Sequence, residues 1–419
     1  MQVTLRVERY ADQGRCVGHI DGQVIFVRFA LPGELVEVSV DLPVRAKRRF
    51  LTGEVTKVIE PSPDRVEPAW PLAGPLAWGG GVGGADLVHV SLAGQLAWKQ
   101  AVVQEQMHRL GHVDTSVKVL RAPGDEERGG LYWRTRIDLI ADEQGRPSMR
   151  RRESHERVAI DQMPLATREL NDFASRLGVW SGGFEPNSPI RLALPDQQEG
   201  GVEDNFACIV SSKVKAGQRK VHEQVDVEGQ TFRYEVDATG FWQIHRQAPH
   251  LLATAVVRAV KANIKAVQAP VIWDLYSGSG LFTLPLATLI APDAQLASIE
   301  GSRIAVAQAH YNTQVAAVGK RVMALAGDVA RTLERGLPGK LAKPDAVVLD
   351  PPRSGAQAAV CQQIARSGAP VVVYVACDPT SLARDTATLV GQGYHLSSIE
   401  AFDIYPMTHH VETVGVFTK

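Results

Sequence analysis

Over the first 60 positions apolar residues alternate with polar ones in short runs: Val3-Thr-Leu-Arg-Val, Cys16-Val-Gly-His-Ile, Val24-Ile-Phe-Val, Leu35-Val-Glu-Val-Ser-Val and Glu54-Val-Thr-Lys-Val-Ile. A period of two predicts strands, and Asp21-Gly22 between the second and third runs is a hairpin signal. About five strands in so short a stretch predict an OB-like β-barrel over residues 1–60. Pro61-Ser-Pro-Asp and the Pro/Gly-rich stretch from Pro68, which ends in Gly79-Gly-Gly-Val-Gly-Gly, break the pattern. Ser91 to Leu110 then reads as one amphipathic helix, with Leu92, Leu96, Val103 and Met107 near helical spacing. Separated strand-like runs follow at Arg134-Thr-Arg-Ile-Asp-Leu-Ile, Ile190-Arg-Leu-Ala-Leu, Asn205-Phe-Ala-Cys-Ile-Val and Phe232-Arg-Tyr-Glu-Val, predicting a central α+β domain. From Pro249 an Ala/Val-rich helix leads into apolar strands that each end in a polar turn and a helix. That rhythm predicts a C-terminal α/β, Rossmann-like domain.

Composition narrows the class. At 419 residues and 45% hydrophobic content the chain can fill several cores. A net charge of −1 excludes a uniformly basic nucleic-acid binder, so any RNA contact must come from patches such as Arg45-Ala-Lys47-Arg48-Arg49 and Arg150-Arg151-Arg152. In Lys47-Arg48-Arg49-Phe50 charge stands beside an aromatic, as suits a groove that tracks a nucleic-acid backbone; a solvated loop explains the run nearly as well. Four scattered cysteines without a CxxC argue against disulfides and zinc and fit a reducing cytoplasm. Arg6, Glu8 and Arg9 stand where a signal peptide would be apolar, and the uncharged run 281–292 is too short to span a bilayer. No membrane association is expected.

The candidate chemistry lies in the last 170 residues. Val271-Ile-Trp-Asp274-Leu-Tyr276-Ser-Gly278-Ser-Gly280-Leu is a strand running into a glycine loop that opens a helix. Leu296-Ala-Ser-Ile-Glu300 is a second strand ending in an acid about 20 residues on, the spacing at which a carboxylate takes ribose hydroxyls. Thr283 holds the place of the third glycine that a dinucleotide requires, and Asp274 precedes the loop. The pattern therefore suits a nucleoside cofactor without phosphates and with a positive centre, S-adenosylmethionine rather than NAD. Gly327-Asp328 reads either as an adenine-side contact or as an ordinary turn.

Asp345-Ala-Val-Val-Leu-Asp350-Pro-Pro-Arg353 resembles the acid and proline pair of amino-methylating enzymes, but Arg353 replaces the aromatic that stacks their base. Cys377 follows the strand Val371-Val-Val-Tyr-Val-Ala, and Asp378-Pro379 caps the next helix. A thiol beside a helix N-terminus feels the positive end of the dipole, while Asp378 opposes it. A cysteine at that edge points to carbon methylation through a covalent adduct.

Taken together, Phe241-Trp-Gln243-Ile, the Asp274 to Gly280 loop, Asp350-Pro-Pro-Arg, Cys377-Asp-Pro with Leu382-Ala-Arg-Asp, and His410-Val-Glu412 follow the order found in RNA uracil-C5 methyltransferases, the 5-methyluridine enzymes of tRNA and 23S rRNA. The chain resembles that family over essentially its whole length. The resemblance implies a TRAM-type barrel at 1–60, a central domain at 61–90 and 121–248, and a methyltransferase domain at 91–120 and 249–419. It implies that Gln243, Tyr276, Gly278, Gly280, Glu300, Asp328 and Asp350 hold the cofactor or orient the base. In it Cys377 is the nucleophile, Glu412 removes the C5 proton, Phe241 stacks on the flipped uracil, and Lys47, Arg48 and Arg49 meet RNA. The sequence leaves the oligomeric state open, with a monomer expected.

Many members carry a [4Fe–4S] cluster on cysteines that would fall near Trp70, at Val82 and Ala85, and near Met163, and none is cysteine here. No cluster and no other metal is expected. Methylation at cytosine C5 uses the same thiol logic, so only the resemblance favours uracil. A non-catalytic RNA-binding or RNA-folding protein is the rival of another class, opposed by the intact Cys377, Glu412 and glycine loop.

Overall fold

The computed structural model describes residues 1–41, 50–196, 205–265 and 267–419; Lys47, Arg48 and Arg49 lie outside them. The N-terminal alternation forms six strands, β1 (Gln2–Arg6), β2 (Arg9–Ala11), β3 (Arg15–Ile20), β4 (Gln23–Arg28), β5 (Leu35–Asp41) and β6 (Leu51–Glu60), in the order β1–β5–β6–β4–β3–β2. Ile25, Val27, Val36, Val38 and Val55 fill the interior. Asp21 and Gly22 both take positive φ, 49° and 80°, which makes the two-residue turn between β3 and β4. Gly53 allows β5 to approach, since a Cβ there would lie 2.6 Å from Val38.

Helix α1 (Leu92–Gly111) starts where its N-cap Ser91 accepts from the Gly94 amide. Its buried face is centred on Gln95, Trp98, Lys99, Val102, Val103 and Met107, while Leu92 and Leu96 are only half buried. The apolar spacing pointed to a neighbouring stripe because two of the buried residues are polar and carry partners. Gln95 donates to the Val90 carbonyl and accepts from the Met407 amide, and Lys99 Nζ bonds Asp403.

After β7 (Val119–Arg121) come β8 (Arg136–Ala141), β9 (Pro147–Arg150), β10 (Arg157–Ala159), α2 (Arg168–Arg176), β11 (Pro189–Ala193), β12 (Ala207–Val210) and β13 (Lys213–Gly217). Strands β8 to β13 make an antiparallel sheet in the order β10–β9–β8–β11–β12–β13. Trp70, Val82, Ala85 and Met163 are buried in one apolar core shared by this sheet and the barrel. Among the described residues no group of three or more His, Cys, Asp or Glu is placed to hold a metal ion.

Arg151 and Arg152 do not offer an open basic patch. Arg151 donates to the Gly80 carbonyl, and Arg152 donates to the carbonyls of Ala73, Gly74 and Val82 and covers the Phe29 ring at 4.4 Å. They are turned inward because the glycine loop leaves carbonyls that need donors.

The hairpin β14 (Lys220–Val227) and β15 (Gln230–Asp237) buries Val221, Val225, Phe232 and Tyr234 in a core shared by α3 (Ala248–Asn263), the third sheet and Ala193, Ala207 and Ile209 of the central sheet. That sheet contains β16 (Val271–Leu275), β17 (Gln295–Glu300), β18 (Val322–Ala326), β19 (Ala346–Leu349), β20 (Val371–Ala376), β21 (His395–Asp403) and β22 (Glu412–Thr418). Its order is β18–β17–β16–β19–β20–β22–β21–β7, with the first five strands parallel and β22 antiparallel to both neighbours. Interleaved are α4 (Thr283–Leu289), α5 (Arg303–Val315), α6 (Val329–Arg335), α7 (Gln357–Ser367) and α8 (Pro379–Gly391). Near-continuous Val and Ile runs suit strands covered on both faces. Because β16 lies between β17 and β19, the winding reverses there, and the crevice outside its carboxyl end is where ligands of such sheets bind.

Candidate active site

The carboxyl end of β16 is shaped by the glycine loop. Tyr276 takes φ 61° and its amide, with that of Ser277, donates to the Ile299 carbonyl, turning the chain sharply off the strand. Glu300, at the end of β17, is held by two amides: Gly278 N donates to Oε2 at 3.1 Å and Ser302 N to Oε1 at 2.7 Å. A Cβ at Gly278 would meet nothing within 4 Å, so the loop faces open space. Asp274 is fully buried; one oxygen accepts from Thr283 Oγ1 and the other has no partner among the described residues. Burial pushes its carboxyl up to about 7, with Glu300 adding to the rise. Gln243 is also buried, and its Oε1 has no partner among the described residues. Asp328 is exposed and caps α6 through the Arg331 amide, so it serves as a turn residue while facing the same edge.

Sheet register assembles the second half. Ala376 pairs with Thr413 across β20 and β22, which run antiparallel, so the next residue on one strand and the preceding one on the other, Cys377 and Glu412, emerge side by side. Asp350 follows β19, its amide donating to the Leu275 carbonyl. Burial, then Glu412 and Asp350, push the Cys377 thiol up to about 12, while Arg353 pulls the other way. The helix dipole does not win at Cys377: the resting group is a thiol. Burial and Asp350 raise Glu412 well above the usual carboxylate range, and burial and Asp274 raise Asp350 to about 7.

Asp385, the last residue of the Leu382-Ala-Arg-Asp motif, anchors the loop bearing Asp350 and Arg353. Its Oδ2 accepts from the Ala356 amide at 2.7 Å and from the Tyr374 hydroxyl at 2.6 Å. Gly355 is required there, since a Cβ would stand 2.6 Å from that oxygen. Phe241 is 71% exposed. The segment after it is fixed by His245, whose Nε2 meets buried Asp125 at 2.8 Å and whose Nδ1 accepts from the Gln247 amide.

The barrel also reaches the site, since Asp12 accepts from Thr380 Oγ1 three residues past Cys377, and Gly14 packs beside Asp86 and His409. His409 Nδ1 contacts Asp86 at 2.8 Å, and Arg353 contacts His410 Nε2 at 3.0 Å. Sequence reasoning missed Tyr405, whose hydroxyl donates to Glu412 Oε2 at 3.4 Å, and the buried Lys99–Asp403 pair beneath it.

The tRNA (uracil-5-)-methyltransferase model matches residues 206–419, and the TRAM domain model matches residues 2–56. An uncharacterized RNA methyltransferase of Bifidobacterium longum is 61% identical over 424 residues, covering 100% of this chain and 97% of its own length. A 23S rRNA (uracil(1939)-C(5))-methyltransferase of Chromohalobacter salexigens is 29% identical over 456 residues, covering 99% of this chain and 89% of its own. The crystal structure of Pyrococcus abyssi tRNA (uracil-54, C5)-methyltransferase shares the fold, with a TM-score of 0.67 at 22% identity over 99% of both chains. A matched family over residues 206–419, more than half of the chain, joined to a matched barrel, places this chain: it belongs to the tRNA (uracil-5-)-methyltransferase family and is an RNA methyltransferase with an N-terminal TRAM domain.

Proposed function

We propose that the protein methylates C5 of uracil in a structured RNA with S-adenosylmethionine, through a covalent bond from Cys377 to C6. The observation that carries this reading is the β20–β22 register, which sets a thiol and a buried carboxyl side by side at the sheet edge. The residues present fit the cofactor. Glu300, held by two backbone amides, suits ribose hydroxyls; the buried orphan atoms Asp274 Oδ1 and Gln243 Oε1 await a polar partner; Tyr276, Gly278, Gly280 and Asp328 line the same loop edge. The cofactor supplies an electrophilic methyl group.

Uracil C5 is a poor nucleophile until C6 is attacked, so Cys377 adds to C6 and leaves its proton on Asp350, whose carboxyl near 7 can take and release a proton at neutral pH. After C5 carries the methyl, Glu412 removes the C5 proton and the S–C6 bond breaks, returning the thiolate. Reaching C5 and C6 requires the base to leave the stack, and the exposed Phe241 ring is suited to fill or face that gap. A reducing cytoplasm would keep the thiol available. The division into a barrel at 1–60, a central domain and a methyltransferase domain that includes α1 follows the same reading. No iron–sulfur cluster is needed, since Trp70, Val82, Ala85 and Met163 pack as core.

Fluorine at C5 removes the proton that Glu412 must take. RNA with 5-fluorouridine plus S-adenosylmethionine should therefore trap a denaturation-resistant complex that Cys377→Ala abolishes. Turnover retained in Cys377→Ala would sink the covalent mechanism. Parallel arms with tRNA and 23S rRNA fragments, the substrates named for the two relatives, and with cytosine at the target, identify the RNA and the base.

A further inference from the structure

The geometry points to Tyr405 as the positioning residue of Glu412: its hydroxyl orients the carboxylate and stabilises the ionised form that accepts the C5 proton. This rests on the reading of Glu412 as the base.

Glu412 is 2% exposed, and the Tyr405 hydroxyl is the side-chain donor that reaches it among the described residues, at 3.4 Å to Oε2. Catalytic hydrogen bonds are commonly long before substrate closes the site and shorten afterwards. The groups facing Glu412 otherwise make a carboxylate hard to keep. Asp350 stands beside it after β19, and Cys377 and Asp378 lie in the β20–α8 turn. On its own loop stand His410, held by Arg353, and His409, held by Asp86. From α1, Lys99 is committed to Asp403. A neutral donor on Glu412 offsets the repulsion from Asp350 without neutralising the base.

Tyr405 is itself fixed on several sides, which a space-filling loop residue would not need. Its carbonyl accepts from Lys99 Nζ at 2.9 Å and from Thr408 Oγ1 at 2.8 Å. Its ring meets those of Trp133 and His410 edge-on, with centroids 6.1 Å and 6.0 Å away. Lys99 and Asp403, both fully buried, thus hold the loop at the height where the hydroxyl meets Glu412.

Tyr405→Phe keeps the ring and removes only the hydroxyl. The steady-state kcat should fall about tenfold, the value of one hydrogen bond to a charged group. The kcat/KM for RNA and the yield of the 5-fluorouridine adduct should stay unchanged, because both are set before proton removal, so KM should fall together with kcat. The acid limb of the kcat–pH profile should move to higher pH, since loss of the donor makes Glu412 harder to ionise. Tyr405→Phe combined with Glu412→Gln should be no slower than Glu412→Gln alone. An unchanged kcat and acid limb in Tyr405→Phe, with Glu412→Gln still crippled, would overturn the role of Tyr405 while leaving the base in place. If Glu412→Gln is fully active, the underlying reading of the base fails instead.

Discussion

At the scale of single residues the site is a collection of groups whose ionisation burial has moved. Asp274 shows the consequence for stability. An unfolded chain ionises an aspartate near pH 4, whereas the folded chain ionises Asp274 near 7. Between those values the folded state binds a proton that the unfolded state does not, so this group makes stability fall as pH rises from about 4 to 7, after which its effect levels off. Asp274→Asn lacks the proton uptake. In cofactor-free protein it should gain on the wild type through that window, by on the order of 4 kcal/mol at pH 8, read from denaturant midpoints. A difference that stays constant from pH 4 to 8 would contradict the buried, orphaned carboxyl. The identity of these residues was legible from motif order, but their protonation was not. At Cys377 the helix N-terminus and Asp378 pull in opposite directions, which left its protonation open in the sequence, and only the register that brings Glu412 and Asp350 against it shows the rise.

At the scale of elements, strands were easier to read than the helix that matters most to the site. Alternation located the barrel strands, and glycine with a distal acid located the loop after β16. For α1 the apolar spacing selected Leu92 and Leu96, yet the packed face is built on Gln95, Trp98 and Lys99. A buried lysine cannot be inferred from hydrophobic pattern, because its burial depends on Asp403, 304 positions away in the chain. That pair can be tested directly. Lys99→Met removes the cation while Asp403 stays fully buried, with Arg121 at 3.3 Å as its remaining cation. We expect a loss of about 3 kcal/mol, the usual cost of stranding one member of a buried pair. A shift under ~0.5 kcal/mol in denaturant midpoint, the range of surface substitutions, would mean that the pair does not hold α1 to the site.

At the scale of the whole molecule, the barrel meets both the turn after the nucleophile and the central segment. The barrel turn at Asp12 to Gly14 touches Thr380 and His409, and Arg15 and Arg28 reach Glu153 of the central segment. These contacts join residues far apart in the chain, which is why composition and spacing could order the domains without showing that they converge. The β14–β15 hairpin makes the same point, since alternation located β15 but not the core it would join. On the proposed function, this convergence builds a site for a two-stage reaction, attack by Cys377 followed by proton removal by Glu412. Glu412→Gln separates the stages. Mass spectrometry of this variant with uridine RNA and S-adenosylmethionine should find a methylated RNA linked to Cys377, one methyl per active site, with turnover reduced about 10²–10⁴-fold, as expected on losing a general base. Near wild-type turnover without the adduct would contradict the assignment of Glu412 and leave the C5 proton to another group.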